Sequence, residues 1–212
     1  MKILAIGAHF DDVELGCGGT LARYKREGHT VDVYVATRSG YSSFDNTKIR
    51  DSNEASQEAI EAIKILGSGG INLHRGEFET FNLKYQDKLN TTIRQIIDTV
   101  KADTIFSVGS FDALSDHWAL AKSVLHASRH VPRVAFYRCN WYPSEVSFNG
   151  RLYVDISDFI ELKQSAIKAY SSEWTRAGYR WSEYFTNLAR NDGMVVGVNY
   201  AECFEVIRWL TT

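Results

Sequence analysis

The chain has 212 residues, 44% of them hydrophobic, enough to bury one sizeable core; nothing in the composition marks a second, so residues 1–212 read as a single domain. Lys and Arg number 24 against 26 Asp and Glu, a formal charge of −2, which argues against a surface dominated by nucleic-acid phosphate contacts. Cys17, Cys139 and Cys203 lie far apart with no CxxC, which indicates neither a disulfide framework nor a thiolate zinc site and fits a reducing cytoplasm.

At the N-terminus, "MKILAIGAHFDD" meets two acids before its apolar stretch could become a signal-peptide core, and no run approaches membrane-spanning length. The expectation is a cytoplasmic protein with no integral membrane segment. "KILAIGA" (2–8) and "TVDVYVAT" (30–37) read as strands. Between them Leu21, Ala22 and Tyr24 sit at helical spacing before a stop at Gly28, so the first unit is βαβ. A polar loop (38–48) leads to a helix over 49–66 with Ala55, Ala59, Ile60, Ile63 and Leu66 on its apolar side. Further along, 71–75 reads as a strand, 86–101 as a helix, 103–109 as a strand, 116–130 as a helix and 133–139 as a strand. Residues 157–172 read as another helix and the tail 193–209 as a strand.

Alternation of this kind predicts an α/β fold, Rossmann-like, with a mostly parallel sheet and helices on both faces. In such sheets ligands bind beyond the carboxyl ends of the strands, often where the strand order reverses. The first strand delivers His9, Asp11 and Asp12 to that edge, and the loop after "TIFSVG" delivers Asp112, Asp116 and His117. The two clusters should face each other across one cleft.

A hydrolytic zinc site takes three His or carboxylate ligands and leaves a position for water. His9 and Asp12 can supply two and His117 the third, which leaves Asp11 as a carboxylate able to take a proton from the attacking water. The competing reading of the first string is plainer: Asp11 or Asp12 could cap the helix that follows.

The string "AHFDDVELGCGGT" closely resembles the AHPDDxxLGxGG signature of the PIG-L/LmbE-like family of zinc-dependent deacetylases, which act on N-acetylglucosamine-type sugars in glycolipids, thiols and antibiotics. "DALSDHWAL" (112–120) is similar to the family's DxHxDHxAL, "IRDSNEASQEAIEAIKILG" (49–67) to its Arg- and Glu-bearing helix, and "YAECF" (200–204) to its YAEAF. The resemblance implies His9, Asp12 and His117 as ligands of Zn2+, Asp11 as general base, Asp116 as a catalytic-site aspartate beside the ligand histidine that helps organise the site, and Arg50 as a substrate contact. Fe2+ or another divalent ion also suits imidazole and carboxylate donors. Among the aromatic residues of presumed loops, Tyr41 and Trp141 are the first candidates for stacking on a sugar ring.

Two positions depart from the family pattern. Phe10 replaces a proline, which changes loop stiffness alone. Leu114 replaces the first histidine of DxHxDH, a donor to the oxyanion or the leaving amine; Tyr137, Tyr142, His126 and His130 are the candidate substitutes. The expected partner is a small-molecule N-acetyl sugar or glycoconjugate, with no nucleic acid and with homo-oligomerisation left open. The rival readings are a noncatalytic metal- and sugar-binding homologue and a zinc amidohydrolase acting on a non-sugar amide.

Overall fold

Five of the six residues of β1 (Lys2–Gly7) are buried, because strands flank it on both sides. The computed structural model describes residues 1–211. After β1 come α1 (Asp12–Arg26), β2 (Thr30–Thr37), a short hairpin of β3 (Tyr41–Ser42) and β4 (Lys48–Arg50), α2 (Ser52–Gly67), β5 (Asn72–Phe78), α3 (Asp87–Val100), β6 (Thr104–Val108), α4 (Ser115–Ala127) and β7 (Arg133–Tyr137). The remainder holds β8 (Leu152–Asp155), α5 (Ile160–Lys168), α6 (Ser171–Ala177), α7 (Tyr179–Val196) and β9 (Ala201–Trp209).

The seven-stranded sheet runs β5-β2-β1-β6-β7-β9-β8. β5, β2, β1, β6 and β7 are mutually parallel, whereas β9 runs antiparallel to both β7 and β8. The chain moves outward from β1 to β2 and β5, then returns to place β6 on the other side of β1. Right-handed crossovers therefore send α1 and α2 to one face and α3 and α4 to the other. α1 and α2 pack together with α5, and α3 packs on α4. The order reverses between β1 and β6, and the sequence clusters leave those two strand ends.

The C-terminal third departs from expectation. Residues 193–196 form the last turn of α7 and not the start of a strand; Gly197, at φ +79°, ends that helix with its amide on the Gly193 carbonyl. The apolar GMVV string misleads because Met194, Val195 and Val196 are exposed on the helix end. Helix 157–172 divides into a 3-10 turn at Ser157–Phe159, α5 and the start of α6. α2 begins at Ser52, not 49: Tyr41 and Ser42 pair with Arg50 and Lys48, and the Asp51 carboxylate accepts the Asn53 and Glu54 amides as an N-cap.

α1 is kinked at Cys17, whose φ of −144° lies outside the helical range. The kink frees the Gly19 and Thr20 amides, which donate to the two Glu202 carboxylate oxygens at 3.0 and 2.7 Å. It also frees the Leu15 carbonyl, which accepts from Lys163 Nζ at 2.7 Å. Lys163 and Glu202 are buried and pair with each other at 2.5 Å, so one ion pair bridges the broken helix ladder. Gly16 and Gly19 serve close packing: a Cβ on Gly16 would lie 2.0 Å from the Tyr137 ring, and one on Gly19 2.7 Å from Ile156.

Candidate active site

Directly beyond β1, the Asp12 side chain folds back on the chain, its Oδ2 accepting the Ala8 and His9 amides at 2.8 and 2.9 Å. Asp11 occupies the N-cap position of α1 at φ +113° and makes no side-chain cap bond. Neither aspartate caps the helix, so the plainer reading of the string fails on geometry. Phe10 is tied down as well, its amide donating to Ser39 Oγ at 2.7 Å.

His9, Asp12 and His117 converge, with one ligand atom of each within 4.8 Å of the others. His9 Nδ1 lies 3.2 Å from His117 Nε2, which lies 3.1 Å from Asp12 Oδ1. Tetrahedral zinc with bonds of about 2.0–2.1 Å spaces neighbouring ligand atoms about 3.3 Å apart, so the donor set fits such an ion. The outward nitrogens fit as well. His9 Nε2 faces Asp116 Oδ2 at 3.0 Å, and His117 Nδ1 faces Asp112 Oδ2 at 2.8 Å. A carboxylate behind each imidazole fixes its tautomer and turns the other nitrogen inward.

The donor groups act strongly on one another. Although burial opposes it, the charge and hydrogen bond of His117 and the His9 amide hold the Asp12 carboxyl well below its ordinary range. Against its own burial, His117 is raised well above the ordinary imidazole value by Asp12, Cys139 and Asp112. Asp11 goes the other way: burial lifts its carboxyl well above the usual range, against the pull of Arg50 and with help from Asp12, Glu173 and Glu14.

These residues open on a cleft of about 270 Å³ that His9, Asp11, Asp12 and His117 line. Tyr41, Arg50, Leu114 and Trp141 line it too, so the structure brings to one cleft every site residue expected from the sequence except Asp116. Asp116 is fully buried behind His9 and accepts the Phe81 and Leu83 amides at 2.6 and 2.9 Å. It holds His9 Nε2 and the loop between β5 and α3, and it is not among the residues that line the cleft. Arg50 lines the cleft but is only 4% exposed; its guanidinium lies 3.6 Å from Asp11 and 3.2 Å from Glu58 and donates to the Phe10 carbonyl. It is a charge partner of Asp11. Tyr41 donates its hydroxyl to Glu173 at 3.1 Å, and Trp141 packs edge-on to Tyr184 with ring centroids 5.8 Å apart.

Of the four substitutes weighed for the donor missing at Leu114, Tyr142 alone lines the cleft. Tyr137 is buried with its hydroxyl on the Ile6 carbonyl, and His126 packs on Tyr85 at the surface. Sequence reasoning missed Glu173 and Arg176, which pair with each other at the cleft, and the Thr80–Phe81 segment. Asp112 was placed at this edge, but its hold on His117 was not foreseen; the i, i+5 spacing to His117 across a helix start was the available signal.

A Rossmann-like sheet with imidazole and carboxylate donors converging at its switch point defines an α/β protein with a divalent-metal centre in prospect. The family model of PIG-L, GlcNAc-PI de-N-acetylase, matches residues 4–128, and the chain belongs to that family. The uncharacterized deacetylase YaiS of Escherichia coli K12 is 30% identical over 185 residues, spanning 80% of this chain and 90% of that one. Among solved structures, a conserved protein of Thermus thermophilus matches with a TM-score of 0.83 at 26% identity, over 100% of this chain and 97% of that one. The N,N'-diacetylchitobiose deacetylase of Pyrococcus horikoshii matches at 0.78 with 19% identity, over 97% and 83%. The 4-carboxy-2-hydroxymuconate hydratase of Pseudomonas putida KT2440 matches at 0.77 with 18% identity, over 100% and 98%. At such identities the last two establish a shared fold, and a fold that serves both a deacetylase and a hydratase leaves the reaction to be argued from the site. No described helix is long and apolar enough to cross a membrane.

Proposed function

We propose that this PIG-L family chain, acting as one domain, is a zinc-dependent deacetylase that cleaves the amide C–N bond of an N-acetylated amino sugar or its nucleotide, lipid or antibiotic conjugate. The observation that carries this reading is the division of labour among the acids. Asp12 joins two imidazoles, Asp112 and Asp116 stand behind those imidazoles, and Asp11 is left at the cleft with a raised pKa. His9, Asp12 and His117 would hold a divalent ion, which would supply Lewis-acid polarisation and lower the pKa of water there.

The remaining work falls to the protein. Asp11 receives the proton from the attacking water, for which a buried carboxyl with a raised pKa is better matched than an ordinary one. Arg50 keeps Asp11 within reach of ionisation, since its guanidinium opposes the burial that favours the neutral acid. Tyr41 and Trp141 flank the cleft as contacts for the sugar, and Tyr142 is the donor nearest in role to the histidine absent at Leu114.

Leu114 supports a second reading. Its side chain lines the cleft and offers no hydrogen, as suits a weakly active or noncatalytic metal- and sugar-binding homologue. Acetate release by zinc-loaded protein from a panel of N-acetyl sugars, nucleotide sugars and lipid-linked sugars separates the two. Release above that of Asp11→Asn supports the deacetylase; none from any substrate, with sugar binding intact, supports the homologue.

A further inference from the structure

Phe81 sits in the loop between β5 and α3, in a place that packing alone does not explain. Its backbone has φ +61°, a region in which a residue with a Cβ is strained and a bulky one is uncommon. The residue is 55% exposed, so little burial offsets that strain. The conformation is imposed by Asp116, which takes the Phe81 amide on Oδ2 and the Leu83 amide on Oδ1. The same Oδ2 faces His9 Nε2 at 3.0 Å, so one carboxylate sets both the loop and a metal-facing imidazole. The ring lines the cleft, tilted over His9 with centroids 5.7 Å apart and edge-on to Tyr41 at 5.3 Å. Beside it, Thr80 also lines the cleft, and its Oγ1 is buried with no hydrogen-bond partner.

A strained, exposed aromatic beside an unpaired hydroxyl on one cleft wall is costly to the free protein and suits something that enters the cleft. We propose that Thr80 and Phe81 form a substrate-reading strap: the Phe81 ring covers the apolar face of a pyranose, and Thr80 Oγ1 hydrogen-bonds a hydroxyl or the acyl oxygen of the same N-acylated amino sugar. The proposal rests on the deacetylase reading above and names the contacts that select its substrate. Asp116 couples the strap to the metal centre, so a sugar seated against Phe81 is held in fixed register with His9. Neither side chain takes part in proton transfer, and loss of either affects substrate affinity rather than the chemical step.

The test compares zinc-loaded wild type, Phe81→Gly and Thr80→Val with N-acetylglucosamine as the probe. Binding is read from the fluorescence of Trp141 and Trp181, which line the cleft, and turnover from acetate release. Phe81→Gly should weaken binding about 3- to 10-fold through the lost ring contact. Thr80→Val should weaken it about 2- to 10-fold through the lost hydrogen bond. Both should appear as a higher KM with kcat changed less than about twofold. The Tm of Phe81→Gly should equal or exceed that of wild type, because glycine adopts this φ without strain. Unchanged affinity in both variants overturns the strap, and so does a fall in the Phe81→Gly Tm of more than about 5 °C, which marks the ring as structural. Wild type that binds and hydrolyses the probe while both variants match it overturns the strap alone. Wild type that neither binds nor hydrolyses this probe or any other N-acetyl sugar of the panel above overturns the amino-sugar reading together with the strap.

Discussion

Asp112 fixes the orientation of His117: its Oδ2 lies 2.8 Å from His117 Nδ1, while its Oδ1 accepts the Leu114 amide at 2.9 Å and Asn140 Nδ2 at 3.2 Å. A carboxylate so fully engaged holds the imidazole with Nε2 turned toward Asp12. Loss of such an outer partner typically weakens metal binding about 10- to 100-fold. Asp112→Ala should therefore bind zinc that much less tightly in competition with a chelating dye. Affinity equal to wild type would mean that His117 is oriented by other contacts.

Asp11 is assigned a proton and no metal, so Asp11→Asn should keep its ion while acetate release falls by about 100-fold or more. Metal content and turnover are measured on the same preparation. Full turnover removes Asp11 from the base role, and lost metal moves it into the ligand set.

The Lys163–Glu202 pair bridges the α1 kink, with the carboxylate on the Gly19 and Thr20 amides and the ammonium on the Leu15 carbonyl. Removing one member leaves a buried charge without its partner, at a cost of about 3–5 kcal/mol. Lys163→Met should lose that much stability in urea unfolding, and the double variant Lys163→Met/Glu202→Gln should recover part of it. A Lys163→Met protein as stable as wild type would show that the pair contributes little to the kinked helix.

Burial pushes the Glu14 carboxyl from 4.5 up to about 7, against hydrogen bonds from its own amide and from Tyr170. The folded protein keeps this proton to about pH 7, whereas the unfolded chain releases it near 4.5. Its contribution to stability is therefore complete below pH 4.5 and is lost as pH rises through 7. The gap corresponds to about 3 kcal/mol. Glu14→Gln, which keeps the shape without the charge, should be more stable than wild type at pH 8 by up to about 3 kcal/mol, the advantage shrinking as pH falls toward about 4.5. Urea midpoints of metal-free protein across that range give the answer, and parallel curves would refute it.

The parallel part of the sheet is legible in the sequence because β1, β2 and β6 are β-rich, mostly apolar runs, the pattern of strands covered on both faces. The same pattern pointed to the candidate site, since His9 and His117 follow two of those runs and the topology puts the strand ends side by side. The C-terminal third was opaque. β8 has only four residues, and α7 buries Trp181, Phe185 and Ala189 at a spacing of four that the exposed Tyr184 and the GMVV end obscure. Glu173 reaches the cleft through α6, a seven-residue helix with no apolar period of its own, and Phe81 through a loop whose backbone is set by a distant carboxylate. Contacts made across the fold by short elements leave no local pattern to read.

Everything proposed for the cleft depends on a metal ion held by three named side chains. Elemental analysis of wild type, His9→Ala and His117→Ala, purified alike and dialysed against the same trace zinc, tests it most directly. About one ion per chain in wild type and much less in each variant is the predicted result. Equal metal in all three proteins would contradict it.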